Sequence, residues 1–194
     1  MKKGFIVIVA LLVFGITYAQ SYQPVEEKST IKFSIKNFGV NTGGSFKGPQ
    51  GAINFDPSDL SKSSFDVSVP AETIDTDNES RDKHLKGEDY FSVQEFPVIS
   101  FKSDKIDGNA KKGYNVKGKL SMKGITKDIS FPFTAVQQGN DWLFTGEFKL
   151  NRRDFNVGGN SAVLSDNLVV SLSVFAGVAI FFAVHFLVHS VIAD

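Results

Sequence analysis

The chain of 194 residues is long enough for one domain with a sizeable core, and its 42% hydrophobic and 22% charged residues are ordinary for a globular protein. Basic and acidic residues number 21 each, so no net charge favours nucleic acid as a partner. The sequence has no cysteine, which excludes disulfides, thiolate metal sites and a cysteine nucleophile, while its 19 phenylalanines predict either a dry core or an apolar cavity.

Residues 1–19 have the parts of a secretory signal peptide. Lys2 and Lys3 form a short positive segment, residues 4–16 are almost entirely apolar, and Ala19 supplies a small residue before the cleavage point. The alternative is a membrane anchor of the same length. Because cleavage fits this pattern better, the sequence predicts a periplasmic or secreted protein that begins at Gln20.

The first half of the mature chain has the period of two that is typical of strands with one buried face. Residues 30–36 alternate strictly and place Ile31, Phe33 and Ile35 on one side. Residues 37–44, with three glycines, predict a bend in the chain. Further extended segments are predicted at residues 45–48, 51–56 and 65–70.

A polar stretch at residues 80–101 interrupts this series of strands. It is the only part of the sequence where Arg, Asp and His crowd together, at Arg81, Asp82 and His84. Residues 81–91 have the best helical spacing in this half of the chain, with Asn78 or Ser80 as the N-cap. We therefore expect one short helical insert between two sets of strands.

Alternation resumes after the insert and continues through the rest of the domain. The predicted strands cover residues 96–103, 114–122, 129–135, 142–150 and 168–174, and a turn is predicted at residues 107–109. Eight or nine evenly spaced strands without intervening helices indicate an all-β antiparallel sandwich or barrel. An eight-stranded barrel can be filled by its own side chains or can hold one slender ligand.

The residues predicted to face inward favour a cavity over a filled core. Many of them are phenylalanines, and small residues stand among them at Gly51, Gly118, Ala135 and Gly146. These four small residues are expected to leave room inside the barrel. A barrel with a filled core that serves as an interaction module is the alternative.

The sequence resembles the YceI-like family of secreted bacterial proteins, which have a lipocalin-like barrel and bind polyisoprenoids. The resemblance covers almost the whole mature domain and rests on ordered blocks at residues 29–35, 44–48, 51–56, 76–91, 96–103, 118–127 and 151–158. It implies an antiparallel eight-stranded lipocalin-like barrel over residues 20–176 with an elongated apolar tunnel. It implies a binding protein and does not imply an enzyme.

The predicted site combines an apolar lining with a few polar groups at its mouth. The predicted ligand-binding residues are Phe33, Ile35, Phe55, Val67, Leu85, Phe91, Phe101, Leu120, Met122, Phe131, Phe133, Phe144 and Phe148. Arg81, Asp82 and His84 are the candidates for contact with a head group, although they could instead fasten the insert to the barrel. The run Arg152-Arg153-Asp154 predicts an ion-pair cluster at a strand end.

These observations favour a periplasmic carrier that holds a polyisoprenoid, an isoprenoid quinone or a similar long-chain amphiphile. Such a lipid is the expected partner, whereas no metal, cofactor or nucleic acid is expected. An enzyme acting on such a lipid, with its site at Arg81, Asp82 and His84, is the alternative from another class. The sequence leaves the identity of the ligand and the oligomeric state open.

The chain ends in an apolar segment, residues 177–194, that departs from the family pattern. Its 17 residues 177–193 carry no formal charge and approach the lower length limit of a membrane helix. Three interpretations remain: membrane contact through an anchor, a helix packed on the barrel or on a partner, and a reading-frame artefact. His185 and His189 stand four residues apart in this segment, but no third metal ligand accompanies them.

Overall fold

The computed structural model describes residues 21–179, and within them it contains ten strands and one α-helix, α1 (Glu79–Lys86). The strands are β1 (Ser21–Pro24), β2 (Thr30–Asn37), β3 (Val40–Phe46), β4 (Gln50–Asn54), β5 (Ser64–Pro70), β6 (Val98–Asn109), β7 (Gly113–Met122), β8 (Ile125–Gln138), β9 (Asp141–Asn151) and β10 (Leu164–Val178). Short 3₁₀ turns cover Glu26–Lys28, Leu60–Lys62, Ala71–Thr73 and Arg152–Phe155. The predicted signal peptide, at residues 1–19, lies outside the described residues.

Eight of the strands close into an antiparallel barrel in the order β1-β4-β5-β6-β7-β8-β9-β10, and β10 returns to pair with β1. The hairpin of β2 and β3 is additional and pairs with the first part of β10. β10 has 15 residues and is long enough to pair with two strands along the same edge. β2 pairs with its first part and β1 with its last three residues. The predicted eight-stranded antiparallel barrel with one helical insert is confirmed.

The alternation of apolar and polar residues explains which side of each strand faces inward. In β2, Ile31, Phe33 and Ile35 are half-buried, whereas the intervening Lys32 and Ser34 are exposed. β7 follows the same rule, with buried apolar residues separated by exposed lysines. Each strand therefore presents one apolar face to the interior of the barrel and one polar face to water.

Two turns lie elsewhere than the sequence predicted. The bend expected at residues 37–44 is confined to Phe38 and Gly39, since Gly43 and Gly44 belong to β3 and pair with β2. A Cβ on Gly44 would lie only 2.5 Å from the Phe33 ring, so this glycine serves close packing rather than turning. β6 likewise continues through the turn predicted at residues 107–109 and ends at Asn109.

Helix α1 is shorter than predicted and is followed by turns up to Phe96. The Asn78 side chain caps it by accepting a hydrogen bond from the Arg81 backbone N–H at 2.9 Å. The helix ends at Lys86, and Gly87 is its C-cap. The whole connection from β5 to β6 lies against the barrel at the end where the β2–β3 turn is also found.

One end of the barrel is filled by aromatic side chains. The ring of Phe55 lies 5.1 Å from that of Trp142 and 5.2 Å from the rings of Tyr114 and Phe144, measured between centroids. All four side chains are buried. We call this end the filled end and the opposite end, at α1 and the β2–β3 turn, the mouth.

Two of the small residues that were expected to leave room inside the barrel have a different role. A Cβ on Gly51 would lie 2.2 Å from the Asp66 carbonyl oxygen, and one on Gly118 would lie 2.3 Å from that of Lys102. Both glycines therefore allow neighbouring backbones to approach, and the prediction is wrong for them. Gly146, in contrast, does line the cavity described below.

The closing strand runs two residues past residue 176, where the sequence predicted the barrel to end. Gly177 and Val178 belong to β10 and pair with Gln23 and Tyr22 of β1. The Ala179 N–H then donates to the Ser21 carbonyl oxygen at 2.8 Å, so both ends of the described chain lie at the filled end. The rest of the apolar segment, residues 180–194, lies outside the described residues, as do both of its histidines.

Candidate functional site

The mouth half of the barrel contains an apolar cavity of about 410 Å³. Inward-facing residues of the strands form its walls, and Leu85, Tyr90 and Phe91 of the insert cover it. Phe65, Phe133 and Phe144 form its floor, since they line the cavity and also contact the Phe55 ring below. The barrel is therefore filled at one end and hollow at the other.

Nearly all of the apolar residues predicted from the sequence line this cavity. They are Phe33, Ile35, Val67, Leu85, Phe91, Phe101, Leu120, Met122, Phe131, Phe133, Phe144 and Phe148. The rings of Phe131 and Phe148 stack with their centroids 4.3 Å apart. Phe46 bridges the insert to β2, since its ring makes an edge contact with Phe91 and a tilted contact with Phe33. The walls are thus built largely from aromatic rings that hold one another in place.

Phe55 is the exception among the predicted lining residues. It is buried at the filled end and does not line the cavity. Alternation along β4 correctly placed its side chain inside the barrel, but alternation carries no information about height along the barrel axis. The prediction that Phe55 lines the binding cavity is therefore wrong.

The sequence prediction missed several lining residues of two kinds. On β10 the inward residues Leu168, Val170, Leu172 and Val174 line the cavity, and their alternation already marked them as one face of the closing strand. A second kind comes from segments that the sequence did not identify as regular structure. Ile74, in the connection after β5, is one of these, and only its 2% exposure in the folded chain reveals it.

The Thr76 hydroxyl separates the roles of the adjacent residues Arg81 and Asp82. It donates to Asp82 Oδ1 at 2.5 Å and accepts from Arg81 Nε at 2.8 Å, while Arg81 Nη2 donates to the Thr76 carbonyl oxygen at 2.6 Å. Asp82 Oδ1 also accepts from the Thr76 backbone N–H at 2.9 Å. These bonds fasten α1 to the segment that precedes it.

The three head-group candidates do not converge on one point. Arg81 and His84 line the cavity, whereas Asp82 faces Thr76 and does not. The exposed His84 ring lies against the Tyr90 ring, with centroids 4.9 Å apart. The Nη1 group of Arg81 has no hydrogen-bond partner among residues 21–179, so it is available to a ligand at the mouth.

A polar crevice adjoins the apolar cavity beside α1. It has a volume of about 530 Å³, and Asn41, Ser45, Asp75 and Asp77 are among the residues that line it. Five residues line both spaces: Lys32, Phe33, Thr42, Thr76 and Arg81. The apolar cavity thus has polar groups next to it on one side, an arrangement suited to an amphiphile.

β3 and the segment after β5 are joined by a seam that completes the cavity wall. Ser45 and Asp75 exchange backbone hydrogen bonds of 2.8 and 3.0 Å, and Lys47 Nζ lies 2.9 Å from Asp75 Oδ2. The hydrogen bond from Lys47, with a further one from the Asp77 backbone N–H, holds the pKa of Asp75 below its ordinary value of 3.8. The same contact raises the pKa of Lys47.

Arg152 is a buried cation in the cavity wall, a position that was not predicted from the sequence. Its side chain is 4% exposed, and its guanidinium donates to the carbonyl oxygens of Ser165, Val157 and Gly159 and to Asp166 Oδ1. These four bonds and the carboxylate offset the cost of burying the charge. The sequence suggested an ion-pair cluster within residues 152–154.

That cluster prediction is wrong about the carboxylate. The partner of Arg152 is Asp166, in β10, at 2.7 Å. Arg153 instead donates to Asn160 Oδ1, and the Asp154 side chain is exposed. The two arginines therefore hold the connection between β9 and β10, which borders the cavity through Phe155 and Val157.

Residues 21–179 contain neither a metal-binding cluster of side chains nor a helix able to cross a membrane. No set of three or more His, Asp or Glu side chains is arranged there to hold a metal ion. In the same part of the chain, α1 falls short of the length and apolar character of a membrane-crossing helix.

Comparison with solved structures places this barrel in a group of bacterial proteins. BcnA of Burkholderia cenocepacia is 26% identical and superposes with a TM-score of 0.75, covering 79% of this chain and 99% of its own. The YceI protein of Campylobacter jejuni is 20% identical, with a TM-score of 0.66 over 93% of this chain and all of its own. A polyisoprenoid-binding domain of Saccharophagus degradans, 12% identical with a TM-score of 0.64, shares the fold.

Sequence comparisons agree with this structural likeness. A UPF0312 protein of Yersinia pestis is 31% identical over 151 residues, which are 74% of this chain and 78% of the relative. The model of the YceI-like domain matches residues 22–176, from β1 to within two residues of the end of β10. The match thus covers the complete barrel, and the chain belongs to the YceI-like family.

Proposed function

We propose that this protein binds a long-chain amphiphile, such as a polyisoprenoid or an isoprenoid quinone, in its barrel and carries it outside the cytoplasm. The observation that carries the proposal is the hollow mouth half, an apolar cavity of about 410 Å³ next to a polar crevice. The tail of the ligand occupies the cavity, and its head group lies near Arg81 and His84.

The apolar walls account for affinity and the mouth for selectivity. Each CH₂ group removed from water contributes about 0.8 kcal/mol, so several prenyl units are held by area alone. Aromatic walls make few directional demands, and we therefore expect loose selection among tails. The head group would be selected by the few polar groups within reach, of which Arg81 Nη1 is one.

Two further observations support the ligand class and the location. The Saccharophagus domain that shares this fold is described as polyisoprenoid-binding. The apolar N-terminal segment, with its basic start and its small residue before the cleavage point, supports export. A lipid carrier would be needed there, because a prenyl tail cannot cross an aqueous compartment unshielded.

The test is native mass spectrometry of the purified protein, before and after incubation with a short-chain prenyl quinone. We expect one co-purified or added lipid per chain. Val170→Trp, which fills the cavity from β10, should abolish uptake, whereas the nearly isosteric Val170→Ile should retain it. Ile99→Trp, in the wall formed by β6, provides a second blocking variant if the first does not fold.

Each outcome has a clear consequence. A folded wild-type protein that carries no lipid and takes up no prenyl quinone would overturn the proposal and favour the interaction module. Recovery of a chemically altered lipid would favour the enzyme, and His84→Ala should then stop the conversion. For a carrier, His84→Ala should leave uptake within a few-fold of the wild type.

A further inference from the structure

Three apolar side chains are exposed together at the mouth of the barrel. Phe38 is 76% exposed, Val40 68% and Val163 39%. The Phe38 backbone N–H donates to the Val163 carbonyl oxygen at 2.9 Å, so the β2–β3 turn and the loop before β10 form one surface. We call these three residues the mouth patch.

The mouth patch continues the lining of the cavity onto the outer surface. Asn37 and Leu164 both line the cavity and pair with each other across β2 and β10. Phe38 directly follows Asn37, and Val163 directly precedes Leu164. A ligand that leaves through this side of the mouth passes the patch.

Neither the conformation of the β2–β3 turn nor packing in the core explains why residue 38 is a phenylalanine. Its φ is +50°, and Gly39 follows at +77°, so the pair forms a hairpin turn in which both residues are left-handed. Asn-Gly is the pair that such a turn favours, whereas a bulky side chain is uncommon at positive φ. Because Phe38 is also mostly exposed, its side chain does little for the core.

The two chain segments that carry the mouth patch are almost free of charge. Residues 33–46 and 155–165 carry a single formal charge between them, that of Lys36, although 22% of the whole chain is charged. Burying the mouth patch in an apolar medium would therefore carry little cost from the desolvation of charged groups. The one charge present is positive and exposed, so it would favour anionic head groups.

From these observations we propose that the mouth patch inserts into the surface of a lipid bilayer and holds the mouth against the membrane during ligand exchange. The proposal rests on the proposed carrier function. The three side chains expose roughly 350 Å², well below the about 800 Å² per partner of a standard protein interface. An apolar patch of this size fits the interfacial region of a bilayer better than it fits another protein.

The test measures co-sedimentation with vesicles of equal parts phosphatidylcholine and phosphatidylglycerol. The variant Phe38→Asn with Val40→Thr removes the apolar tip while improving the local turn, so the fold should be kept. The control is Val136→Thr, which alters a 52% exposed valine near the end of β8, at the filled end. We expect the tip variant to lose about tenfold or more in vesicle affinity and the control to lose none.

Uptake of a prenyl quinone from detergent separates this proposal from the carrier function. The tip variant should take up as much quinone as the wild type but deliver it more slowly between vesicles. Equal vesicle binding by the two proteins would overturn the membrane proposal, as would a wild type that takes up quinone yet ignores vesicles. A wild-type dimer in light scattering that the tip variant abolishes would also overturn it, in favour of self-association. Failure of quinone uptake alone would count against the carrier function.

Discussion

Thr76 forms hydrogen bonds with the side chains of Arg81 and Asp82, two neighbouring residues of opposite charge that have different roles. Its side chain is buried, and the single hydroxyl serves Asp82 as a donor and Arg81 as an acceptor. Asp82 is thereby committed to fastening α1, while one end of the Arg81 guanidinium remains available at the mouth. A hydroxyl in this position therefore contributes both to stability and to the placement of the polar group nearest the cavity.

Replacing Thr76 with Val should destabilise the protein by about 1–3 kcal/mol, because Asp82 and Arg81 each lose a partner in a half-buried site. Thr76→Ser keeps the hydroxyl and should retain most of the stability. The free energy of unfolding in urea measures both changes. A Thr76→Val variant as stable as the wild type would show that these bonds contribute nothing net.

The sequence could predict which residue types gather at the mouth but could not divide their roles. Arg81, Asp82 and His84 are rare polar residues in an apolar chain, and this marked the insert correctly as a special segment. Asp82 does not line the cavity, and its carboxylate is instead held by Thr76, in the non-helical segment before α1. A contact of this kind depends on how the connection folds back, which spacing alone does not determine.

At the scale of elements, the seam between β3 and the segment after β5 closes the wall of the hollow half. β3 lies at the end of the hydrogen-bonded strand order, and its exposed edge is met by an isolated bridge between Ser45 and Asp75. The Lys47–Asp75 ion pair lies at the same place. Because few bonds form this seam, we expect it to open more easily than the continuous strand pairs of the wall.

Lys47→Met should raise the pKa of Asp75, because it removes the largest cause of the lowered value. The hydrogen bond from the Asp77 backbone remains, so the pKa should stay below 3.8 or close to it. Carboxyl titration by NMR measures the change. The control Lys62→Met removes the partner of Asp59 and should leave Asp75 unaffected.

The sign of this shift determines its effect on the seam. A lowered pKa means that the Asp75 carboxylate supports the folded state above its ordinary pKa of 3.8 and loses this role as the pH falls through the lowered value. The seam should therefore weaken only in strong acid. If Asp75 titrates at its ordinary value in the wild type, the ion pair is not formed in solution.

The boundaries of a strand were predictable where one of its faces is buried. They were not predictable where a glycine could either turn the chain or allow close packing. The alternation in β2 and β7 followed directly from burial. The glycines of β3 suggested a long bend, yet Gly44 is required because the Phe33 ring and Thr76 pack against it. Composition cannot distinguish a glycine that turns the chain from one that makes room for a neighbour.

At the scale of the molecule, the barrel divides into a filled and a hollow end. Phe55, Tyr114 and Trp142 fill one end, and both ends of the described chain meet there. The sequence could not predict this division, because lining and filling residues share one alternating pattern. Phe131 and Phe133 are successive inward residues of β8, yet only Phe133 also packs against Phe55 at the floor.

The division should appear in amide hydrogen exchange. In the free protein, the seam amides of Ser45 and Asp75 should exchange much faster than those of Tyr114 and Phe133 at the filled end, because opening the hollow half exposes less packed surface. A bound prenyl quinone stabilises the closed wall, so it should slow hydrogen exchange at the seam amides. The reduction in rate should approach the factor [L]/Kd, where [L] is the free quinone concentration. In Val170→Trp the added quinone should change nothing. Seam amides as slow as those of the filled end in the ligand-free protein would contradict a wall that opens locally.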